Sequence, residues 1–331
     1  MLRKRDFLGA AAGTLAAPLI YVRQASAQST TISLRLDWTF YGTHAPFYLA
    51  NEMGLYRAEG LSVAIGEGSG SGNTARLLAQ GQDQIAFLDL GTMVKGIGGG
   101  MPIKAIFGVH QRSPMMIISM ADAPVRSPKE LEGKVIAMAP AESTAQMFPV
   151  LLSASGADAS KISVLSPAVG AKTALLLQRR ADAITGVNYF QLPAMEAQGA
   201  KLFGFFYADF GVSALEGGIA ANANWLAANP DATRKFLRAT QKAFDLAKAN
   251  PAAAIDAAIK VRPELARNRD VSLRQLQLSI EAMATQSTKG FPTGRMSEAD
   301  WTKMVEQLVA SKQIPELIPL NRLFTNEFVP G

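Results

Sequence analysis

Hydrophobic and polar positions alternate from Thr31 to Asp37: Ile32, Leu34 and Leu36 fall on one face, Ser33, Arg35 and Asp37 on the other. A period of two predicts a half-buried strand. It ends on an acid and an indole, Asp37-Trp38, before a polar-aromatic loop and a helix over 45–53 closed by Gly54. Leu61–Ile65 predicts a second strand. The run Gly66 to Asn73 then leads into a helix over 74–80, and Gln84–Leu90 predicts a third strand with a helix from Gly91. Ile103–Val109 and Met115–Met120 read as strands. Ser127-Pro128 starts a helix, with Ser127 as N-cap and proline in the first turn.

Further on, the pattern gives a strand at 134–138, a helix at 141–154, and strands near 163–165, 183–185 and 201–207. Helices are expected between them at 171–177 and 191–198, and a return strand at 218–221. From Asn229-Pro230-Asp231 onward the period is helical, with Phe236, Leu237, Thr240, Phe244 and Ala247 on one face. Helices over 251–261, 271–285 and 297–311 follow. Strands alternating with helices predict an α/β protein with mostly parallel sheets flanked by helices. The chain length suffices for two lobes, each with its own core. The expected division is 28–113 for the first part of lobe 1, 114–215 for lobe 2, and 216–331 for the return to lobe 1 with its C-terminal helices. Crossings are expected near 114–120 and 211–221.

The first 27 residues read as an export signal rather than as fold. Arg3-Lys4-Arg5 is a basic start, Phe7 to Val22 is apolar, and Ala25-Ser26-Ala27 offers a small-residue cleavage site. The apolar run is shorter than the roughly 20 residues a spanning helix needs. Lys4 stands where a twin-arginine signal has its first arginine, so either the Tat or the Sec route is open. The chain has no cysteine, which excludes disulfides, thiolate metal sites and a lipid-bearing cysteine. The net charge is +6, and the signal carries four bases and one acid, so the remainder carries +3. That mild balance, with no basic block beyond Arg179-Arg180, gives no support for a nucleic-acid partner. A free periplasmic monomer is expected.

Candidate chemistry collects where strands are predicted to end. Asp37 accepts from a ligand amine or caps the next turn; Trp38 stacks on a planar ring or fills a core. Tyr41 and His44 share that loop, and two histidines without cysteine make no zinc site. The Gly66–Asn73 run offers backbone amides with Ser69, Ser71 and Asn73 to an anion, or is a flexible turn. Its Gly-x-Gly-x-Gly-x-Gly spacing puts Ser71 where a dinucleotide fingerprint needs glycine. Asp89 follows the third strand. Ser143 and Thr144 precede a helix, Asn188 and Tyr189 follow a strand, and Glu216 lies near a crossing. Each alone reads as a cap, turn or surface residue. Their shared place at strand ends points to one cleft. No nucleophile elbow, phosphate-loop lysine or metal-ligand pair is present, and neither a cofactor nor enzymatic activity is expected.

Asp37-Trp38 with His44, Gly54-Leu-Tyr56, Glu59-Gly60-Leu61, Leu131-Glu-Gly133-Lys134, Asn229-Pro230 and Asn326-Glu327, in that order, resemble a known family. It comprises the periplasmic binding proteins for thiamine-pyrimidine precursors, relatives of the nitrate-, sulfonate- and taurine-binding proteins. The resemblance implies a type II periplasmic-binding-protein fold that closes two lobes on a small-molecule ligand and docks on an ABC permease. It implies ligand contacts at Trp38, Tyr41 and His44, and less directly at Asn188 and Glu216. It also covers the fungal thiamine-pyrimidine synthase. There, Leu88 and Thr92 stand where that enzyme has a lysine and a histidine, and Ala214-Leu-Glu216 replaces its cysteine-rich motif.

Overall fold

The computed structural model describes residues 29–168, 170–212 and 215–331. The proposed export signal and Ala214 lie outside the described residues. Two five-stranded sheets form the frame. The first has the order β2-β1-β3-β10-β4, from β1 (Thr30–Arg35), β2 (Leu61–Gly66), β3 (Ile85–Asp89), β4 (Ile103–Gly108) and β10 (Gly217–Asn222). The second has the order β7-β6-β8-β5-β9, from β5 (Met115–Met120), β6 (Val135–Ala137), β7 (Ser163–Leu165), β8 (Ala183–Val187) and β9 (Leu202–Phe206).

The sheets are mixed, with most strands running the same way as expected. In each, four strands run one way and a single strand opposes them: β10 is antiparallel to β3 and β4, and β5 to β8 and β9. The opposing strand is in both cases the first one entered after a crossing. A chain that arrives from the other sheet enters next to a neighbour without a crossover helix, so it runs antiparallel. The first crossing, 109–114, is joined to the chain's return at Glu216 and Gly217: Val109 and His110 donate their N–H groups to Gly217 O, and Glu216 N–H donates to His110 O.

The alternation in β1 holds, with Ile32, Leu34 and Leu36 fully buried. They pack with Phe47, Tyr56, Phe87, Phe236 and Phe244 in the first sheet's core. The long helix Pro230–Ala249 lays the predicted apolar face there; Tyr56 stacks on Phe236 at 5.3 Å and shares a 2.9 Å hydrogen bond with Thr240. Burying such side chains contributes roughly 1.5–3 kcal/mol each. Asn229 precedes that helix, but its side-chain amide turns back to Trp225 O instead of capping. The helix Arg269–Glu281 closes the back of the molecule. Gln275 there accepts from Gly42 N–H at 2.9 Å and donates to Phe190 O at 3.2 Å, tying both sheets' loops to one side chain. Gly42 is required at this contact, because a Cβ would sit 2.0 Å from Ser272 O. No helix among the described residues is long and apolar enough to cross a membrane.

Candidate functional site

A cleft lies between the two sheets, where the end of β1 and the helix starts at Ser71 and Ser143 face the end of β8. Asp37, Trp38 and Tyr41 bring it the end of β1. Buried His44 lies behind them, its Nε2 2.8 Å from Asp37 Oδ1. His44 Nδ1 receives the Tyr41 N–H at 3.4 Å, so the proton sits on Nε2 and points at the carboxylate. The Tyr41 hydroxyl donates to Asp37 Oδ2 at 3.2 Å. Burial, and then the charge of Asp37, push the Tyr41 phenol well above its ordinary pKa, so it stays a neutral donor.

The crossing segments supply a parallel arrangement. Glu216 Oε2 accepts from His110 Nδ1 at 2.9 Å, from the Tyr189 hydroxyl at 2.6 Å and from Gly217 N–H at 2.9 Å. His110 Nε2 meets Ser279 Oγ at 2.7 Å, which fixes the ring between the crossing and the rear helix. Burial, and then the Glu216 charge, raise the Tyr189 phenol well above its usual range. The rings of Tyr41 and Tyr189 lie parallel 5.9 Å apart, and Phe190 is 5.0 Å from Tyr41. The second sheet's wall adds Glu142, Ser143, Thr144, Lys172, Val187 and Gln191.

The walls touch at one rim. Gly72 N–H donates to Ala141 O at 3.2 Å, and Lys95 Nζ reaches Gln146 O at 2.8 Å. The structure is therefore that of a closed cleft.

Asp37, Trp38, Tyr41, Ser71, Ser143, Thr144, Tyr189 and Glu216 all line this cleft; the remaining candidates do not. His44 braces Asp37 from behind. Asn188 lines a separate hollow beside Arg112 and Glu281, in the turn after β8, while Tyr189 and Phe190 take the cleft side. Asn73 donates to Ser69 O and Oγ on the exposed side and pairs with Arg76. The helix starts at Ser71 rather than at Thr74, which turns Asn73 outward.

The glycine run does not present a free row of amides. Gly68 N–H donates to Trp38 O, Gly70 N–H to Asp37 O, and Asn73 and Thr74 N–H to Gly70 O. Its glycines serve close backbone approach: a Cβ on Gly68 would lie 2.1 Å from Leu36 O. Sequence reasoning missed His110, Lys172, Phe190, Gln275 and Ser279. An isolated histidine before a strand gives no sign that it will be fully buried against an acid 106 residues away.

Asp89 sits one layer back, its N–H donated to Ser71 Oγ at 3.0 Å and its Oδ1 accepting from Thr92 N–H at 2.5 Å as an N-cap. Among the described residues its other oxygen, Oδ2, has no hydrogen-bond partner. Burial, and then the Glu216 charge, push its pKa from 3.8 up to about 7. A raised acid favours the folded state fully below the unfolded value and loses that contribution as pH rises through 7. Asp89→Asn keeps the cap but cannot ionise. Urea midpoints compared at pH 5 and pH 8 should fall less for the variant than for the wild type; an equal fall would show that Asp89 does not set this dependence.

Two lobes joined by paired crossings around a closed cleft define the periplasmic-binding-protein fold, and solved structures agree. The alkanesulfonate-binding protein SsuA from Xanthomonas axonopodis pv. citri superposes with a TM-score of 0.69 at 13% identity, covering 90% of this chain and 99% of that one. The chain belongs to the NMT1/THI5-like family, whose model matches residues 42–254. Among curated relatives, the riboflavin-binding protein RibY of Chloroflexus aurantiacus is 27% identical over 293 residues, 87% of this chain and 82% of that protein. The formylaminopyrimidine-binding protein of Halalkalibacterium halodurans is 22% identical over 301 residues, 89% and 90% of the two chains. A 4-amino-5-hydroxymethyl-2-methylpyrimidine phosphate synthase of Aspergillus parasiticus is 23% identical over 246 residues, 70% and 71%.

Proposed function

We propose that this protein is the exported solute-binding component of an ABC importer and that its solute is a small planar nitrogen heterocycle. One observation carries the reading: two carboxylates, Asp37 and Glu216, each braced by a buried imidazole, face a cleft walled by Trp38, Tyr41, Tyr189 and Phe190. The acids accept from ring or exocyclic N–H groups, and the aromatic faces sandwich the ring. An anion would meet three acids, Asp37, Glu142 and Glu216, against the Lys172 ammonium, and Gly68, Gly70, Gly72 and Asn73 of the glycine run already donate their N–H groups to carbonyls. The names of the riboflavin- and formylaminopyrimidine-binding relatives support the same class of ligand.

Closure follows from differential affinity. The solute must bind the closed arrangement better than the open one, and the closed form is what the permease is proposed to engage. Thermal-shift and calorimetric titration of the purified protein should detect riboflavin, formylaminopyrimidine or a related heterocycle, and not nitrate or an alkanesulfonate. Trp38→Ala should weaken the heterocycle that binds by about tenfold or more. Anion-only binding would reverse the assignment, unchanged affinity would remove Trp38 from the site, and a pyridoxal-phosphate absorption band would favour the synthase.

A further inference from the structure

Lys172 opens the helix Lys172–Leu177 and is 4% exposed, a rare state for lysine. Its ammonium pairs with Glu142, itself 8% exposed at the head of the helix Ser143–Ser155. Both side chains line the cleft, next to Ser143. Burial lowers the Lys172 pKa, with Glu142 acting in the opposite sense. Such a pair is a weak device for stability, because desolvating two ions offsets their attraction and apolar residues of similar volume serve as well. A functional reason at a cleft wall is then the better account.

An ammonium carries three donors. Among the described residues Glu142 is its one hydrogen-bond partner. Two N–H groups are left without a protein acceptor, almost sealed from water, at the wall of the cavity. Buried donors of this kind are normally satisfied, and here the cavity is where an acceptor can come from.

We infer that Lys172, held by Glu142, donates to a carbonyl oxygen of the solute, which is therefore an oxo-substituted nitrogen heterocycle. Its N–H groups face Asp37 and Glu216, and its carbonyl faces the second wall. This rests on the heterocycle reading above and narrows it. Charge decides between a carbonyl and an anionic group: Asp37, Glu142 and Glu216 set three carboxylates against one lysine in the same cleft. A neutral carbonyl takes the donors without adding to that negative charge.

The test is calorimetric titration with two probes, riboflavin, which carries ring carbonyls, and 4-amino-5-hydroxymethyl-2-methylpyrimidine, which has none. Lys172→Met leaves Glu142 buried and unpaired, so the principal variant is Lys172→Met with Glu142→Met, its folding checked by its melting temperature. The wild type is expected to bind riboflavin, and the double variant to bind it about tenfold to a hundredfold more weakly, the effect of losing a hydrogen bond to a charged donor. The pyrimidine should change less than about threefold, within what lost packing alone explains. Riboflavin affinity that survives both substitutions, equal loss for both probes, or wild-type binding of the pyrimidine alone would each overturn the role of Lys172. Wild-type protein that binds neither heterocycle but takes an alkanesulfonate would instead sink the broader reading.

Discussion

Glu216→Ala is expected to abolish measurable heterocycle binding and to lower the melting temperature on the order of 10 °C. The carboxylate holds three donors from three places: His110 from the first crossing, Tyr189 from beyond β8, and the Gly217 amide at the start of β10. All are buried, and a buried donor left without an acceptor costs about 1–3 kcal/mol. Three such groups amount to several kcal/mol, a large share of the ~5–15 kcal/mol of a typical domain. The unfolding entropy grows with chain length, so at this length each kcal/mol moves the midpoint by about 1.5 °C. Glu216→Gln separates the two roles. Its amide oxygen still accepts, so most of the melting temperature should return. Its loss of charge should still weaken a heterocycle by about tenfold or more, since hydrogen bonds to charged groups are roughly twice as strong. A Gln variant with wild-type affinity would confine Glu216 to a structural role.

This double duty explains why the frame of the site was legible in the sequence and its connections were not. Asp37 and Trp38 announce themselves because the run with period two ends directly on them, and Tyr41 follows in the adjoining loop. Glu216 and Tyr189 could be placed near strand ends, but nothing local shows that Tyr189 and His110 both donate to Glu216. Those partners lie 27 and 106 residues apart along the chain and meet only because two crossings pair side by side. Lys172 gives no local signal, since a lysine opening a short helix normally lies on the surface. The one-residue choice between Asn188 and Tyr189 depends on where β8 stops. The sequence reading ended that strand at Thr185, two residues short of Val187. Fold class survives such errors because the alternation of elements sets it, whereas the single opposing strand in each sheet comes from the crossings.

Gly70→Ala is expected to hold the cleft open and to reduce heterocycle affinity on the order of 100-fold. Two independent facts meet at this residue. Its φ is +111° with ψ at 141°, a region that side chains scarcely occupy. A Cβ built there would lie 2.5 Å from Ala141 O and 2.8 Å from Ala141 C, both backbone atoms of the opposite wall. Neither atom can swing aside as a side chain can, so the wall itself must retreat. That would break the adjoining Gly72–Ala141 hydrogen bond. The left-handed strain alone is a separate effect, and Gly60 isolates it: φ is +75°, with nothing within 4 Å of a built Cβ. Gly60→Ala should lose some stability yet bind normally. Ala141→Gly should fail to rescue Gly70→Ala, because the obstruction is main chain. Small-angle scattering with saturating ligand reads the outcome directly. The wild type and Gly60→Ala should contract, and Gly70→Ala should keep the larger radius of its unliganded form. Contraction of Gly70→Ala to the wild-type radius would mean that the walls adjust around the methyl and that closure does not depend on glycine there.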